Sequence, residues 1–196
     1  MKVLRIDASA RYQDSVSRQL TDRLIAQIKE QSSDVDVVVR DLAQGVPLLT
    51  EAMVVAYNTP AEERTAEQVD ILSVSDALVE ELKAADKIVI GCPIYNFSVP
   101  AALKAYIDLV ARAGLTFNYS SEGPVGLLSD RPTYLIVTSG GTPVGTDIDF
   151  ASGYLKHVLS FIGIQNVTII AADSLSRTGS EKLSQVTDQI QTMAIA

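Results

Sequence analysis

Short runs of β-branched and aliphatic residues alternate along the chain with segments in which apolar residues recur at helical spacing. The runs rich in Val, Ile and Leu cover residues 2–8, 36–42, 87–93, 132–139 and 166–173. Helical spacing is found at 17–30, 66–85, 100–113, 149–163 and 181–194. Such alternation predicts the α/β class, with five parallel strands covered by helices on both faces. The third and fourth runs are the most uniformly apolar, which favours central positions in the sheet.

The alternation contains no Pro/Ser-rich linker, internal repeat or low-complexity tract, so we expect residues 1–196 to form a single domain. Two stretches, 43–65 and 114–131, are longer than a minimal sheet of this class requires. Long excursions inside an α/β domain usually carry function or an interface. Ligands of open α/β sheets bind beyond the carboxyl ends of the strands, so function is expected in the loops after strands one, three and four.

Composition and charge narrow the function classes. The formal net charge is −8 and no basic stripe exists, which argues against nucleic acid and anionic membranes as partners. A single cysteine, Cys92, and a single histidine, His157, argue against a zinc site, and we expect no metal. Arg5 and Asp7 interrupt what would be a signal peptide, and no apolar stretch reaches membrane-helix length. We therefore expect a cytoplasmic protein without a membrane partner.

The loop after the first strand carries three serines around the start of a helix, namely Ser9, Ser15 and Ser17. Hydroxyl groups and free helix-terminal amides form an anion site that suits a phosphate monoester. The glycine-rich dinucleotide fingerprint and the P-loop pattern are both absent. On this loop alone, a serine that simply caps the helix is the simpler interpretation, and Asp14 opposes a phosphate unless it points away.

The loop after the third strand reads Pro93, Ile94, Tyr95, Asn96 and Phe97. Proline stiffens it, its aromatic side chains can lie against a planar ring, and its amides can reach acceptors on the ring edge. Tyr95 and Phe97 could instead be core residues.

The loop after the fourth strand contains Ser139, Gly140 and Gly141, and the glycines allow close approach of backbone amides to a ligand. Glycine pairs are common in loops, so this signal is weak alone. Together the three loops offer a phosphate pocket, an aromatic wall and an amide edge, a set that fits flavin mononucleotide (FMN) better than NAD.

The sequence resembles the FMN-dependent NADH azoreductases, also called NADH:quinone oxidoreductases and formerly mislabelled acyl-carrier-protein phosphodiesterases. The resemblance runs along essentially the whole chain and is most specific in the block 93–117. The serines of the first loop, "YSSEGPVGL" at 119–127, "TSGG" at 138–141 and "FIGI" at 161–164 also carry it.

The resemblance implies a flavodoxin-like fold with strand order 2-1-3-4-5, and a homodimer with tightly bound FMN at two interfacial sites. By motif position, the FMN phosphate would be held by Ser9, Ser15 and Ser17, with a backbone contact at Val16. The isoalloxazine ring would contact Pro93, Ile94, Tyr95, Asn96, Phe97, Ser139, Gly140 and Gly141. Tyr119 and Phe161 match aromatic residues on the substrate side, which the partner subunit could contribute.

Two positions depart from the pattern of the family. Gly140 stands where relatives often have Arg, which removes a cation near the substrate mouth and leaves both NADH and NADPH open as donors. Val16 replaces a polar residue, although a contact through its backbone amide would survive.

The implied reaction is a two-step ping-pong oxidoreduction. NAD(P)H gives a hydride and leaves, and a quinone or azo compound then takes two electrons in the same slot, with no catalytic side chain required. We expect His157 on a helix facing solvent or the dimer contact, and Cys92 as a buried apolar residue. The alternative is a flavodoxin-like electron-transfer protein that serves a basic protein partner. A third possibility is hydrolysis of an acyl-carrier phosphodiester, but the sequence offers neither a cluster of metal ligands nor a Ser–His–Asp triad for it.

Overall fold

The computed structural model describes residues 1–195 and contains a five-stranded parallel sheet and a separate hairpin. The strands of the sheet are β1 (Lys2–Asp7), β2 (Asp36–Asp41), β3 (Lys87–Pro93), β6 (Thr133–Thr138) and β7 (Val167–Ala172). The hairpin consists of β4 (Phe117–Ser120) and β5 (Gly123–Gly126). The order in the sheet is β2-β1-β3-β6-β7, which confirms the predicted order 2-1-3-4-5 once the hairpin strands are left out of the count.

Helices cover both faces of the sheet, as predicted. They are α1 (Val16–Gln31), α2 (Glu51–Asn58), α3 (Ala66–Ala84), α4 (Ala101–Val110), α5 (Ser152–Phe161) and α6 (Leu175–Thr192). Buried residues of α1 and α6 belong to one hydrophobic cluster, and those of α3, α4 and α5 belong to a second. The sheet therefore lies between two apolar layers, each closed by its own helices.

The middle strands explain why the functional loops meet. Every residue of β3 and β6 is buried, which confirms their predicted central positions. The parallel register pairs Asp7 with Gly91, and Pro93 with Thr138. The carboxyl ends of β1, β3 and β6 are therefore level at one edge of the sheet, and the loops that follow them start side by side.

Two predicted features change in the structure. The last helix begins at Leu175 instead of 181, and it contains a break at Gly179, whose φ is 27°. Residues 174–180 are rich in serine, threonine and glycine, which have low helix propensity. Apolar periodicity therefore does not predict this first turn. The two long excursions hold α2 and the β4–β5 hairpin, neither of which the apolar pattern predicts.

Candidate functional site

A cavity of about 330 Å³ opens where the loops after β1, β3 and β6 meet. Nine of the twelve residues predicted to bind a cofactor line it: Ser9, Ser15, Val16, Ser17, Pro93, Ile94, Tyr95, Ser139 and Gly140. The other three, Asn96, Phe97 and Gly141, lie in the same loops but outside this lining. Residues predicted from three separate stretches of sequence are thus brought together in space.

Three serine hydroxyls form the polar end of the cavity. Ser15 Oγ donates a hydrogen bond to Ser9 Oγ at 2.9 Å and lies 3.3 Å from Ser17 Oγ. All three residues are at most 5% exposed, so these hydroxyls are shielded from bulk solvent except through the cavity. Ser15 is the N-cap residue of α1, yet its side chain makes no capping hydrogen bond. The simple helix cap, left open from the sequence, is therefore not what Ser15 forms.

The start of α1 offers backbone donors to the same space. Within residues 1–195, no acceptor is found for the amides of Val16, Ser17 and Arg18. Unpaired amides at a helix N-terminus attract anions through both hydrogen bonding and the helix dipole. Because Ser15 directs its hydroxyl to the other serines instead of to these amides, hydroxyl and amide donors are both left available for one anionic group. Asp14 is exposed and does not line the cavity.

The loop after β3 is a tight turn held in an uncommon backbone conformation. Tyr95 and Ser98 exchange two backbone hydrogen bonds, of 3.0 and 3.1 Å. Between them, Asn96 and Phe97 both have positive φ, 49° and 70°, which is uncommon for residues other than glycine. Neither of their amides donates to an acceptor within the described chain. The turn thus holds two adjacent unpaired donors, in the kind of strained conformation that clusters at binding sites.

The aromatic residues of this turn have different positions. Tyr95 is partly buried, and its hydroxyl lies 3.4 Å from Ser9 Oγ, which links the second loop to the serine cluster. Phe97 is 54% exposed, so the alternative that it is a core residue is wrong. Its carbonyl accepts a hydrogen bond from the amide of Phe150, which is itself 62% exposed. An apolar rim therefore extends from the turn to the loop that precedes α5.

The loop after β6 is packed against the start of α6. Gly140 accepts a hydrogen bond from the amide of Ser176 at 2.9 Å, and a Cβ atom at position 140 would lie 3.0 Å from Ser176 Oγ. A side chain at position 140, where the family that the sequence resembles often has Arg, would therefore require the Ser176 hydroxyl to shift. Gly141 differs, since a Cβ atom there would meet nothing within 4 Å. The backbone at Gly141 is consequently open to a ligand.

Four residues that line the cavity were not predicted from the sequence: Arg11, Thr138, Leu175 and Ser176. The last two belong to a fourth strand-end segment, which follows β7 and enters α6 through Ser174, a residue with a positive φ of 57°. Its sequence "DSLSR" has the same serine-rich character as the first loop, and that signal could have indicated its role.

The two aromatic residues predicted for the substrate side lie away from the first cavity. The ring of Phe117 is 4.5 Å from that of Phe161 and 5.5 Å from that of Tyr119, measured between centroids. Tyr119 is 71% exposed, and Phe161 lines a second cavity of about 490 Å³ beside the hairpin. Neither residue lines the first cavity. Within this chain, they and the serine cluster therefore belong to different surfaces.

The remaining candidate nucleophile and base have the surroundings that were expected. Cys92 is fully buried, and burial raises the pKa of its thiol to about 12, so it is confirmed as an inert apolar residue. His157 is exposed on α5, as expected of a residue that faces outward from a helix. Within residues 1–195, no group of three or more metal-binding side chains is found. Nor does any described helix have the apolar length needed to cross a bilayer.

Comparison with known proteins gives consistent similarities. A family model described as a flavodoxin-like fold matches residues 1–194. The chain is 54% identical over 173 residues to FMN-dependent NADH:quinone oxidoreductase 1 of Jannaschia sp. (strain CCS1), which covers 88% of each chain. It is 50% identical over 191 residues to the protein of the same name from Colwellia psychrerythraea (strain 34H), covering 97% of this chain and 99% of that relative.

A similar solved structure is that of an FMN-dependent NADH-azoreductase from Bacillus anthracis str. Ames Ancestor in complex with FMN. It superposes with a TM-score of 0.87 at 28% sequence identity, covering 97% of this chain and 95% of that one. These similarities extend over nearly the full described length, so they include all four strand-end segments around the cavity.

Proposed function

Since the chain belongs to the family with the flavodoxin-like fold, we propose that it is an FMN-dependent oxidoreductase that passes two electrons from NADH to quinones and azo compounds. The observation that carries this proposal is the cavity itself, in which buried hydroxyls and unpaired amides at one end adjoin an aromatic turn. Bound FMN would supply the hydride and two-electron chemistry, while the protein supplies binding, orientation and electrostatics.

The polar end of the cavity fits a terminal phosphate. The hydroxyl of Ser15 lies 2.9 Å from that of Ser9 and 3.3 Å from that of Ser17, and Ser15 immediately precedes the first unpaired amides of α1. An anion there gains charge-assisted hydrogen bonds together with the favourable helix dipole. A pyrophosphate would need glycines for close backbone approach, and the loop from Ser9 to Ser17 has none.

The other end suits a flat ring with a polar edge. Pro93, Ile94 and Tyr95 provide a rigid wall, and the unpaired amides of Asn96 and Phe97 provide donors beside it. Gly140 and Gly141 would add backbone donors from the opposite loop, together with Ser139. Preorganised donors stabilise negative charge that develops on a bound group, each by about 1–3 kcal/mol when desolvated. In this proposal no side chain transfers a proton.

Purified full-length protein loaded with FMN is expected to oxidise NADH continuously when menadione or methyl red is the acceptor. Because one slot would serve donor and acceptor in turn, double-reciprocal plots at several acceptor concentrations should give parallel lines. Absorbance at 340 nm measures NADH, and a parallel series with NADPH gives the donor preference. FMN reduction without multiple turnovers would contradict the proposal and favour the alternative, an electron carrier whose net charge of −8 suits a basic partner.

We further infer a homodimer in which Tyr119 and Phe161 of one protomer face the cavity of the other. Large apolar side chains that remain exposed support an interface, and they include Leu48, Val55, Phe97, Tyr119 and Phe150. Of these, Phe97 and Phe150 are joined by a backbone hydrogen bond beside the first cavity, and adjoining exposed apolar residues usually mark a protein contact.

Sedimentation equilibrium at micromolar concentration should therefore give twice the chain mass of 21.0 kDa. Tyr119→Asp places a charge in the inferred interface, so it is expected to weaken the dimer. Val39→Asp is a matched control, because Val39 is 54% exposed on the edge strand β2 and is given no role in the contact. A single species of 21.0 kDa for the unchanged protein would contradict the dimer.

A further inference from the structure

We propose that Arg18 is a positioning residue that fixes the backbone of the serine loop, 9–15, and thereby sets the preference for a phosphorylated flavin over riboflavin. The inference rests on the proposed FMN site. It adds to that site a residue that does not itself line the cavity. Arg18 is the third residue of α1, and its side chain is 13% exposed.

All three nitrogens of the Arg18 guanidinium donate hydrogen bonds. Nε donates to the carbonyl of Arg11 at 2.9 Å, and Nη2 donates to the carbonyl of Ser9 at 2.8 Å. Nη1 and Nη2 also bind the two carboxylate oxygens of Asp41, at 3.0 and 2.7 Å. Nη1 lies 3.5 Å from an oxygen of Asp7. One side chain thus joins the serine loop to the ends of β1 and β2.

The charge of Arg18 is already neutralised by these partners. A cation in the first turn of a helix is disfavoured by the helix dipole, so its presence there requires compensation. Asp41 supplies this compensation through a bidentate pair, and the side chains of Asp41 and Asp7 are only 11% and 2% exposed. Arg18 therefore holds the loop in place, because its hydrogen bonds go to protein acceptors and not to a ligand.

The hydrogen bonds from Arg18 determine which groups of the loop face the cavity. The carbonyls of Ser9 and Arg11 are held by Arg18, and the amide of Arg11 donates to Ser9 Oγ at 3.2 Å. Carbonyl oxygens would repel a phosphate, so their engagement outside the cavity leaves a surface of hydroxyl and amide donors. The planar fork of arginine matches this set of acceptors, whereas lysine has a compact charge with three rotatable donors.

The test compares Arg18→Lys and Arg18→Gln with the unchanged full-length protein, each freed of flavin and titrated separately with FMN and riboflavin. Quenching of flavin fluorescence gives the dissociation constants. Both variants are expected to bind FMN about tenfold or more weakly, since two charge-assisted contacts to the loop are lost or misplaced. Riboflavin, which has no phosphate, should change by less than about twofold in both variants, because the ring end of the cavity stays intact.

Arg5→Gln is the matched control. Arg5 is also 13% exposed and also binds Asp7, at 2.8 Å, but it makes no contact with the serine loop. If Arg18 acts by position, Arg5→Gln should keep the ratio of FMN to riboflavin affinity of the unchanged protein. An equal loss in Arg5→Gln and Arg18→Gln would overturn the inference, because charge near Asp7 would then explain both.

Two further outcomes separate this inference from the proposed function. If the unchanged protein prefers FMN and Arg18→Lys has the same ratio of FMN to riboflavin affinity, the proposed role of Arg18 is overturned and the phosphate site is not. A protein that binds FMN no better than riboflavin before any substitution overturns the phosphate site, and the inference with it. Should Arg18→Gln fail to fold, Arg18→Lys retains the charge and still decides between these results.

Discussion

Ser17→Asp is expected to weaken FMN binding by at least about 100-fold, because it places a carboxylate among the proposed phosphate donors. Ser17 is 1% exposed, and its hydroxyl lies 3.3 Å from that of Ser15. Two like charges about 4 Å apart repel by about 4 kcal/mol at an effective dielectric constant of 20, and about 2.8 kcal/mol corresponds to 100-fold. Titration of flavin-free protein by fluorescence quenching measures the loss.

Ser17→Asn is the control for this prediction, because asparagine has nearly the shape of aspartate and no charge. We expect Asn to reduce FMN affinity much less than Asp, and the two variants to bind riboflavin alike. Thermal unfolding without flavin should show that both variants fold. If Asp and Asn reduce FMN affinity equally, the steric change would explain the loss and the serine cluster would not be the phosphate site.

Gly163→Ala is expected to lower the free energy of unfolding by about 2–5 kcal/mol. Gly163 has a φ of 109°, and a Cβ atom there would lie 2.3 Å from the carbonyl oxygen of Leu128. The expected loss combines about 1–2 kcal/mol of backbone strain with about 1–3 kcal/mol of overpacking. The atoms that the Cβ would meet are all backbone atoms of Leu128, so no side-chain rotation relieves the collision and the segment after β5 must move away from the end of α5. Urea unfolding followed by circular dichroism measures the difference.

Gly123→Ala separates strain from collision. Gly123 lies at the start of β5, away from the contact between Gly163 and Leu128, and has a similar φ of 117°, but a Cβ atom there would meet nothing within 4 Å. In this variant the free energy of unfolding should fall only by the cost of backbone strain, about 1–2 kcal/mol. Equal stability of the two alanine variants would contradict the prediction, because it would show that the segment after β5 is not held tightly against Gly163 at Leu128.

The hairpin shows a limit of prediction from sequence. Its strands have four residues each, and they include Gly123, Pro124 and Gly126, which are poor strand formers. Its position depends on a close backbone contact, since a Cβ atom at Gly126 would lie 2.1 Å from the amide nitrogen of Gly163. No local apolar pattern encodes a contact between residues 37 positions apart, which is the difference between 163 and 126.

Arg18 shows the same limit at the candidate site. In the sequence it is one polar residue near the start of an amphipathic helix, where a solvated side chain is the ordinary expectation. The structure surrounds it with Asp41, 23 positions away, Asp7, and two loop carbonyls. The sequence did not predict Leu175 and Ser176 as cavity residues for a similar reason. They line the cavity because the pairing of β7 with β6 brings a fourth loop to the same edge of the sheet.

The sequence alone determined the alternation of the five sheet strands with α1, α3, α4, α5 and α6, the two central strands, and three of the four segments around the cavity. Apolar periodicity records which face of each element is buried, and parallel strands place their carboxyl-terminal loops at one edge of the sheet. The tertiary structure alone decided the partners of Arg18, the docking of the hairpin and the contribution of the β7–α6 segment. These depend on distances between groups far apart in the chain, which packing sets and local pattern does not encode.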